Sequence, residues 1–353
     1  MYDSIMETFT EAQASASTGM AHELVETTPN QPLSVEHEPA DLISEIQTVE
    51  LPKTVIEYVE KYERVVDNDR DRFLWRWIHK LFDSFTLSCV PAAELADVKE
   101  IKTLFTVFIT TLDDLIETRN DTATFEEARR VARAPRTVDP EREGVDGELL
   151  EFVRELWEEI DGRLQAAPCY GEFASIFSYD LRQGFNAMEY TRVVSDNKHM
   201  ANATGARAYG AHNMVLFPYT DIDLMFSPGF SLDELSGLRD LTWDLQKMAR
   251  IGNWLTTWER ELTEGDYSAG VIVQALQEGI VAPDELDPAN ADLDRVAQRI
   301  KDRGVEDAFL SEWEERYDEV SGQDYGIDTV DTDAFIAGME TVMEYHLASR
   351  DLK

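Results

Sequence analysis

The sequence is poor in cysteine and has no long uncharged apolar run. Only Cys89 and Cys169 are present among 353 residues, so a disulfide framework and a cysteine zinc site are excluded, and both cysteines are predicted to be core residues. The N-terminal segment MYDSIMETFTEAQ lacks the basic flank and apolar stretch of a signal peptide, and no segment reaches the length of a membrane span. These absences predict a soluble protein of the cytoplasm.

Basic residues are scarce relative to acidic ones. Asp and Glu total 71 against 32 Lys and Arg, which gives a formal net charge of -39 and a pI of about 4.3. Only nine of the basic residues are Lys, and the other 23 are Arg. Such a charge repels nucleic acid. An acid-rich, Lys-poor surface suits a cytoplasm with molar salt, where a Debye length of about 3 Å screens self-repulsion. We therefore predict a halophilic protein.

The chain divides into an N-terminal tail and one helical domain. Residues 1–48 are polar and acidic, with prolines among turn formers in TTPNQPLSVEHEP, and we predict that they are disordered. From residue 49 the pattern is helical, because Val55, Tyr58, Val59 and Tyr62 recur at intervals of three or four residues. Strand-like alternation and repeats of 20 to 50 residues are absent. We predict one all-α domain over residues 49–353.

Helical patterns and loop signals alternate along this domain. Loops are predicted at RNDTATFEE, at RAPRTVDPEREGVDG and at FSPGFS, where Gly, Pro, Asp and Asn cluster. Helices are predicted near residues 70–88, 96–118, 145–165, 170–195, 200–217, 232–264, 268–279, 291–302, 306–320 and 332–349.

A thin polar line runs along the helix predicted at residues 96–118. Thr103, Thr106, Thr110, Asp113 and Glu117 follow each other at three or four positions and share one face. A solvent face is usually broad and lies opposite a single apolar stripe. Here apolar residues stand on both sides of the line: Leu104, Phe105, Phe108, Ile109, Leu112, Leu115 and Ile116. We therefore predict that this line, the polar seam, faces an internal cavity.

The seam ends in three carboxylates that need a counter-charge. Asp113 and Glu117 are one helical turn apart and repel each other, and Asp114 adds a third charge. Burial without compensation would cost several kcal/mol or force protonation. Oxygen ligands of this kind suit Mg²⁺, which is commonly shared between carboxylates and substrate phosphates. Acids at a helix end are also common without any metal, so Asp113, Asp114 and Glu117 are candidate metal ligands that need a second site elsewhere in the chain.

A second polar line lies in the segment RIGNWLTTWERELTEGD. Asn253, Thr257 and Glu261 recur at i, i+4 and i+8 and stack on one helical face. An amide oxygen, a hydroxyl and a carboxylate in a line can bind one more hard cation. The line also lies roughly opposite an apolar stripe, so a solvated face explains it equally well. Taken alone, this segment leaves both interpretations open.

Together, the two segments resemble the class I terpene synthase family. DDLIE, beginning at Asp113, resembles the family's aspartate-rich motif, and NWLTTWERE resembles its NSE motif. The resemblance implies Asn253, Thr257 and Glu261 as metal ligands, with Arg260 as the adjoining basic residue, and the separation of 140 residues suits the family. It covers most of residues 50–353 and implies an all-α, isoprenoid-synthase-like helical bundle around a central active-site cavity. With the acidic composition, a halophilic archaeon is the expected source.

The resemblance also points to residues outside the two motifs. The family's diphosphate-sensing arginine corresponds by spacing to Arg207, which lies 46 residues before Asn253. Its C-terminal Arg-Tyr pair corresponds to Arg316 and Tyr317, although this pair stands closer to the NSE motif than in the family. A further departure is Trp254, which replaces the Asp that usually follows the Asn.

The implied activity is the ionisation of a linear prenyl diphosphate. Mg²⁺ would bind the diphosphate of a farnesyl or geranylgeranyl chain, and Arg207 and Arg260 would donate hydrogen bonds to it. Three Mg²⁺ ions are expected, and Mn²⁺ could replace them. The catalytic set is then Asp113, Arg207, Asn253, Thr257 and Glu261. Aromatic faces stabilise carbocations by about 2 kcal/mol or more when desolvated. The aromatic candidates are Phe105, Phe108, Phe185, Trp254 and Trp258, each of which could instead be ordinary core.

Two other functions remain open at this stage. A chain-elongating prenyltransferase shares the fold but uses two aspartate-rich motifs, and DIDLMF, with Asp221 and Asp223, is not a second one. A catalytically silent helical protein of the same fold is the other alternative.

The family also allows a homodimer. The aromatic segment DRFLWRWIHKLFDSF fits either a pocket wall or a buried helix.

Overall fold

The computed structural model describes residues 39–66, 72–286 and 292–350. The predicted all-α class is confirmed, because all regular structure in these residues is helical. The helices are α1 Pro39–Thr48, α2 Lys53–Val66, α3 Arg72–Leu81, α4 Leu95–Glu117, α5 Thr122–Val131, α6 Gly147–Gln165, α7 Tyr170–Asp196, α8 Ala203–Ala208, α9 Leu216–Met225, α10 Leu235–Glu264, α11 Gly270–Gln277, α12 Leu293–Asp302, α13 Val305–Ser321 and α14 Thr332–Ala348. None of these helices has the length and apolar composition needed to cross a bilayer.

Two long helices, α4 and α10, form the centre of the bundle. Helix α4 contacts α2, α3, α5, α6, α7 and α9, whereas α10 contacts α9, α11, α12, α13 and α14. A buried ion pair joins α4 to α9: Lys102 Nζ donates to both carboxylate oxygens of Asp223, at 2.8 and 2.9 Å. The same ammonium donates to the carbonyl oxygen of Phe85 at 2.7 Å, which ties the turn after α3 to this pair. The three helices around this pair are therefore held in one arrangement.

The folded part of the chain begins before the predicted boundary at residue 48. Residues 39–48, predicted to be disordered, form α1, which packs against α3 and α14. Leu42 and Ile46, four residues apart, are buried there, and Tyr345 Oη donates to Glu45 Oε2 at 3.1 Å. Two polar contacts join α1 to α3 as well: Lys80 Nζ lies 2.7 Å from Glu45 Oε1, and Arg76 Nη1 donates to the Gln47 carbonyl oxygen at 2.9 Å. The apolar pair and these polar contacts together dock the helix. The predicted tail over residues 1–38 lies outside the described residues.

Two further differences concern helix boundaries. The segment RNDTATFEE, predicted to be a loop, contains the start of α5, because the Asp121 side chain accepts from Thr124 N and caps the helix. The helix predicted at 200–217 is broken into α8, a 3₁₀ segment at Gly210–Met214, and α9. At the break, Val215 has φ 47° and ψ 30°, a left-handed conformation that is rare for a β-branched residue.

The two cysteines, predicted to be core residues, are half-buried and lie at the edge of the core.

Candidate active site

A cavity of about 240 Å³ lies between the central helices α4 and α10. Its remaining walls come from α3 with the turn after it, from the start of α9 with the residues before it, and from α14. One end is rich in charged and amide side chains, and the other end is apolar. The lining includes Leu74, Trp77, Ile78, Leu81, Phe82, Phe85, Thr106, Ile109, Thr110, Asp113, Glu117, Asn213, Met214, Val215, Leu216, Tyr219, Ala249, Arg250, Asn253, Thr257, Arg260, Glu261, Met339, Val342 and His346.

The polar seam of α4 faces this cavity, as predicted. Thr106, Thr110, Asp113 and Glu117 all line it. Thr103, the first residue of the seam, does not line it, and its Oγ1 is 2.8 Å from Nδ1 of the buried His79. The seam therefore enters the cavity only from Thr106 onward.

The second polar line, on α10, faces the same cavity. Asn253, Thr257, Arg260 and Glu261 line it, and Thr257 and Glu261 are almost fully buried. Thr257 Oγ1 is within hydrogen-bonding distance of the Asn253 carbonyl oxygen, at 2.7 Å, and of Glu261 Oε1, at 2.8 Å. The solvated-face interpretation is therefore wrong for this line. Helix α10 is central, so the side opposite its apolar stripe faces an internal cavity instead of solvent.

The carboxylates at this end repel one another. Burial, together with the charges of Asp113, Asp266 and Glu261, raises the pKa of Glu117 well above its usual value. Burial and the charge of Asp266 raise the pKa of Glu261 to about 7, although the guanidinium of Arg250 opposes the shift. Among the described residues, Glu261 Oε2 has no hydrogen-bond partner. Negative charge at this end therefore exceeds what the neighbouring side chains neutralise.

Arg250 is a buried cation that the motif comparison did not select. It lines the cavity with 3% of its surface exposed, and its guanidinium lies over the Trp254 ring, 5.4 Å from the centroid. Its Nη1 donates to Asn253 Oδ1 at 2.6 Å, whereas its buried Nε has no partner among the described residues. The signal was present in the sequence, because Arg250 precedes Asn253 by three residues and so shares its helical face.

Asp266 lies beside the site and was not singled out from the sequence, whereas Arg250, with Arg192, was an alternative to Arg207 as the diphosphate sensor. It follows Gly265, whose φ of 87° ends α10, and its own N–H donates to the Glu261 carbonyl oxygen at 2.9 Å. Its Oδ1 accepts from Ser268 N at 2.8 Å. Burial raises the pKa of Asp266. No spacing rule identifies this residue, because the turn after α10 returns it to the site.

The side chains at this end fit a divalent cation. All the candidate donors are carboxylate, amide or hydroxyl oxygens, the ligand type preferred by hard cations such as Mg²⁺. The excess negative charge and the unpartnered Glu261 Oε2 are consistent with a cation there. In the part of the chain that the structure describes, no three His, Cys, Asp or Glu side chains form a closed metal-binding group. The donors stand on two facing helices, so water or the oxygen atoms of a bound ligand would complete the coordination.

Asp114, predicted to be a metal ligand, points away from the cavity. It is 1% exposed, and Tyr62 Oη on α2 donates to its Oδ2. One residue after Asp113 on a helix, its side chain is rotated by about 100° from the seam. The adjacent acids therefore face different surroundings.

Arg207, Arg316 and Tyr317, predicted to bind substrate, do not line the cavity either. Arg207 and Arg316 both bind Glu312 on α13, with Nη2 to carboxylate distances of 2.7 and 2.9 Å. Burial raises the pKa of Glu312, but the hydrogen bonds from these two guanidinium groups outweigh it and lower the pKa. Tyr317 stacks on Trp313 with ring centroids 5.5 Å apart. These side chains form a separate cluster with its own counter-charge.

The predicted aromatic residues lie in the core beside the cavity rather than in its wall. Phe105, Phe108 and Phe185 are fully buried among α4, α6, α7 and α9. Trp254 packs edge-on against Phe309, and Trp258 Nε1 donates to Glu306. The aromatic residues that do line the cavity are Trp77, Phe82, Phe85 and Tyr219, three of them from DRFLWRWIHKLFDSF.

The acids of DIDLMF are engaged by other side chains. Asp223 is engaged by Lys102, and Asp221 lies beside the Asp180 carboxyl and 4.0 Å from the Arg239 guanidinium. Neither Asp221 nor Asp223 is among the lining residues of the cavity.

The chain was compared with family models, with curated proteins and with solved structures. No family model matches the chain, and the search of curated proteins found no match. Among solved structures, the chain is similar to aristolochene synthase from Penicillium roqueforti, with 15% sequence identity and a TM-score of 0.41, over 84% of this chain and 93% of that chain. At this level the similarity carries no weight for the site, and the all-α class rests on the helices described above.

Proposed function

We propose that the protein is a Mg²⁺-dependent class I terpene synthase. It ionises a linear C15 or C20 prenyl diphosphate, releases diphosphate and converts the carbocation to a terpene by cyclisation or elimination. The observation that carries this proposal is the convergence of two polar helical faces on one cavity. Asp113 and Glu117 stand on α4, and Asn253, Thr257 and Glu261 stand on α10.

Each end of the cavity has its own task in this proposal. Asp113, Asn253, Thr257 and Glu261 would hold the Mg²⁺ ions, whose bound charge stabilises the leaving diphosphate. Arg250 and Arg260 line the same end and donate hydrogen bonds to phosphate oxygens. The apolar end binds the prenyl chain and excludes water that would quench the carbocation. Trp77, Phe82 and Phe85 offer aromatic faces to the positive charge.

Diphosphate release tests the proposal directly. The protein is incubated with C10, C15 and C20 prenyl diphosphates and Mg²⁺ in molar KCl, and extracts are analysed by mass spectrometry. A terpene synthase releases diphosphate from one prenyl substrate alone. A prenyltransferase requires a second, five-carbon substrate, and a catalytically silent protein releases none. Either of the last two results would contradict the proposal.

We expect Arg250, rather than Arg207, to contact the diphosphate. Arg250→Lys keeps the charge but loses bidentate geometry, so kcat/KM should fall at least about tenfold. Arg207→Lys changes a half-exposed ion pair outside the cavity and should leave kcat/KM within about twofold of the parent. Steady-state diphosphate release measures both variants, with circular dichroism as the control for folding. The reverse order would return the sensing role to Arg207, as the family resemblance implied.

A further inference from the structure

A pair of hydroxyl groups lies at the apolar end of the cavity, remote from the proposed diphosphate site. Thr106 on α4 and Tyr219 on α9 both line the cavity, with 7% and 8% of their surfaces exposed. Thr106 Oγ1 and Tyr219 Oη are 2.7 Å apart. Neither residue belongs to the proposed metal site or to the proposed diphosphate site.

The direction of this hydrogen bond follows from the other contact of Thr106. Its Oγ1 donates to the carbonyl oxygen of Lys102 at 2.8 Å, which uses the single proton of the hydroxyl. Tyr219 Oη must therefore donate to Thr106 Oγ1. Among the described residues, no group donates a hydrogen bond to Tyr219 Oη, so its lone pairs remain available to the cavity. Burial raises the pKa of Tyr219, and the hydroxyl therefore stays protonated.

The tyrosine ring is held in place by two phenylalanines. Phe105 contacts it edge-on at a centroid distance of 5.6 Å, and Phe82 does so at 5.1 Å. The ammonium of Lys102, buried against Asp223, lies 5.0 Å from the centroid of the Phe82 ring. Packing on both sides therefore leaves the hydroxyl little freedom to leave Thr106.

The rise of α4 sets the distance between Thr106 and the proposed diphosphate site. Thr106 precedes Asp113 by seven residues, which places it about 10 Å along the helix axis from the metal-binding end. A prenyl chain whose diphosphate is held at Asp113 directs its far end toward the apolar floor. The Tyr219 oxygen therefore lies where the far double bond of the chain would rest.

We propose that Tyr219 is a specificity-determining residue whose hydroxyl oxygen stabilises positive charge at the far end of the prenyl chain, with Thr106 as its positioning residue. This inference rests on the proposed function. In ring closure, the π electrons of the far double bond form a new carbon–carbon bond to the allylic cation. The positive charge moves to the other carbon of that double bond. Tyr219 forms no bond and transfers no proton, and its oxygen dipole favours closure at the far double bond over early elimination.

Three variants test the pair by product analysis. Tyr219→Phe removes the oxygen and keeps the ring, and Thr106→Val removes the acceptor so that the tyrosine proton turns toward the cavity. Both should lower the share of products closed at the far double bond at least about threefold, because a hydrogen-bond-strength contact to the cation is lost. Diphosphate release reports ionisation at the metal end, so the product ratios of the variants are compared after equal amounts of diphosphate have been released. Thr106→Ser should restore the parental product ratio. An unchanged ratio in Tyr219→Phe, or equal ratios in the Ser and Val variants, would overturn the proposal.

A binding measurement tests the same oxygen without turnover. The probe is an unreactive prenyl chain with a protonated tertiary amine at its far end, titrated by calorimetry in the presence of Mg²⁺ and inorganic diphosphate. Its N–H should donate to Tyr219 Oη, so Tyr219→Phe should weaken binding about tenfold, as expected for a hydrogen bond to a charged group. Equal affinity for parent and variant would overturn the role of Tyr219. A parent that releases no diphosphate would overturn the proposed function and, with it, the role of Tyr219 in ring closure. Equal amine affinity in a parent that does release diphosphate would overturn the role of Tyr219 alone.

Discussion

Asp113→Ala should abolish most diphosphate release while leaving the protein folded. Removing a charged group that binds a buried ion typically costs about 2 to 5 kcal/mol. At about 1.4 kcal/mol per decade, this is a loss of about thirtyfold to several-thousandfold in kcat/KM. The melting temperature should not fall, because the charge of Asp113 raises the pKa of Glu117 and its removal relieves that repulsion. Steady-state assays and thermal melts of the same preparation measure both effects.

Asp114→Ala is the matched control for this experiment. It removes the adjacent acid on the same helix but takes away the acceptor of the Tyr62 hydroxyl instead of a cavity group. Leaving a buried hydroxyl unsatisfied costs about 1 to 3 kcal/mol, so the melting temperature should fall. Below its melting temperature, the variant should retain near-parental activity. Equal losses of activity in two folded variants would show that the metal-binding assignment of Asp113 is wrong.

Low salt should unfold the protein. The net charge of -39 produces self-repulsion that molar KCl screens over about 3 Å, whereas at about 0.01 M the Debye length is about 30 Å. Salt also weakens attractive pairs such as Lys61–Glu155, but half-exposed pairs contribute only about 0 to 1 kcal/mol each. Repulsion among the excess acids is therefore the larger effect, and stability should rise with salt concentration. Circular dichroism during stepwise dilution of KCl should show loss of helix.

Sucrose distinguishes two ways in which salt could stabilise the protein: screening of charge repulsion and stronger burial of apolar surface. It favours compact states by exclusion from the protein surface but does not screen charge. At low ionic strength, sucrose should recover little helix, whereas NaCl and KCl of equal ionic strength should recover it equally. Equal stability in low and molar KCl would contradict the halophilic interpretation. Full recovery in sucrose would show that weak packing, not charge, limits stability.

The pattern of residues along single helices was informative about the site. Helical periodicity located the polar seam and the second polar line, and both face the cavity. Periodicity could not identify the aromatic residues that line the cavity. Helix α4 is apolar on both sides of the seam, so its pattern does not tell which aromatic residues face the cavity and which face other helices. Phe105 and Phe108 lie on a side that packs against other helices. The lining aromatics come from α3, the turn after it and α9, whose position over the cavity depends on packing.

The sequence alone was sufficient for the properties that depend on composition and on neighbouring residues. These are the all-α class, the acidic charge and the placement of Asp113, Glu117, Asn253, Thr257 and Glu261 on shared helical faces, because a helix has a constant rise and rotation per residue.

Only the tertiary structure decided which charges meet across the chain. Tyr62 binds Asp114 from a distance of 52 residues, and Arg207 binds Glu312 from 105 residues away. These contacts separate Asp114 and Arg207 from the cavity, while Arg250 is held within it. Such pairings depend on how whole helices pack, and no local spacing rule contains that information.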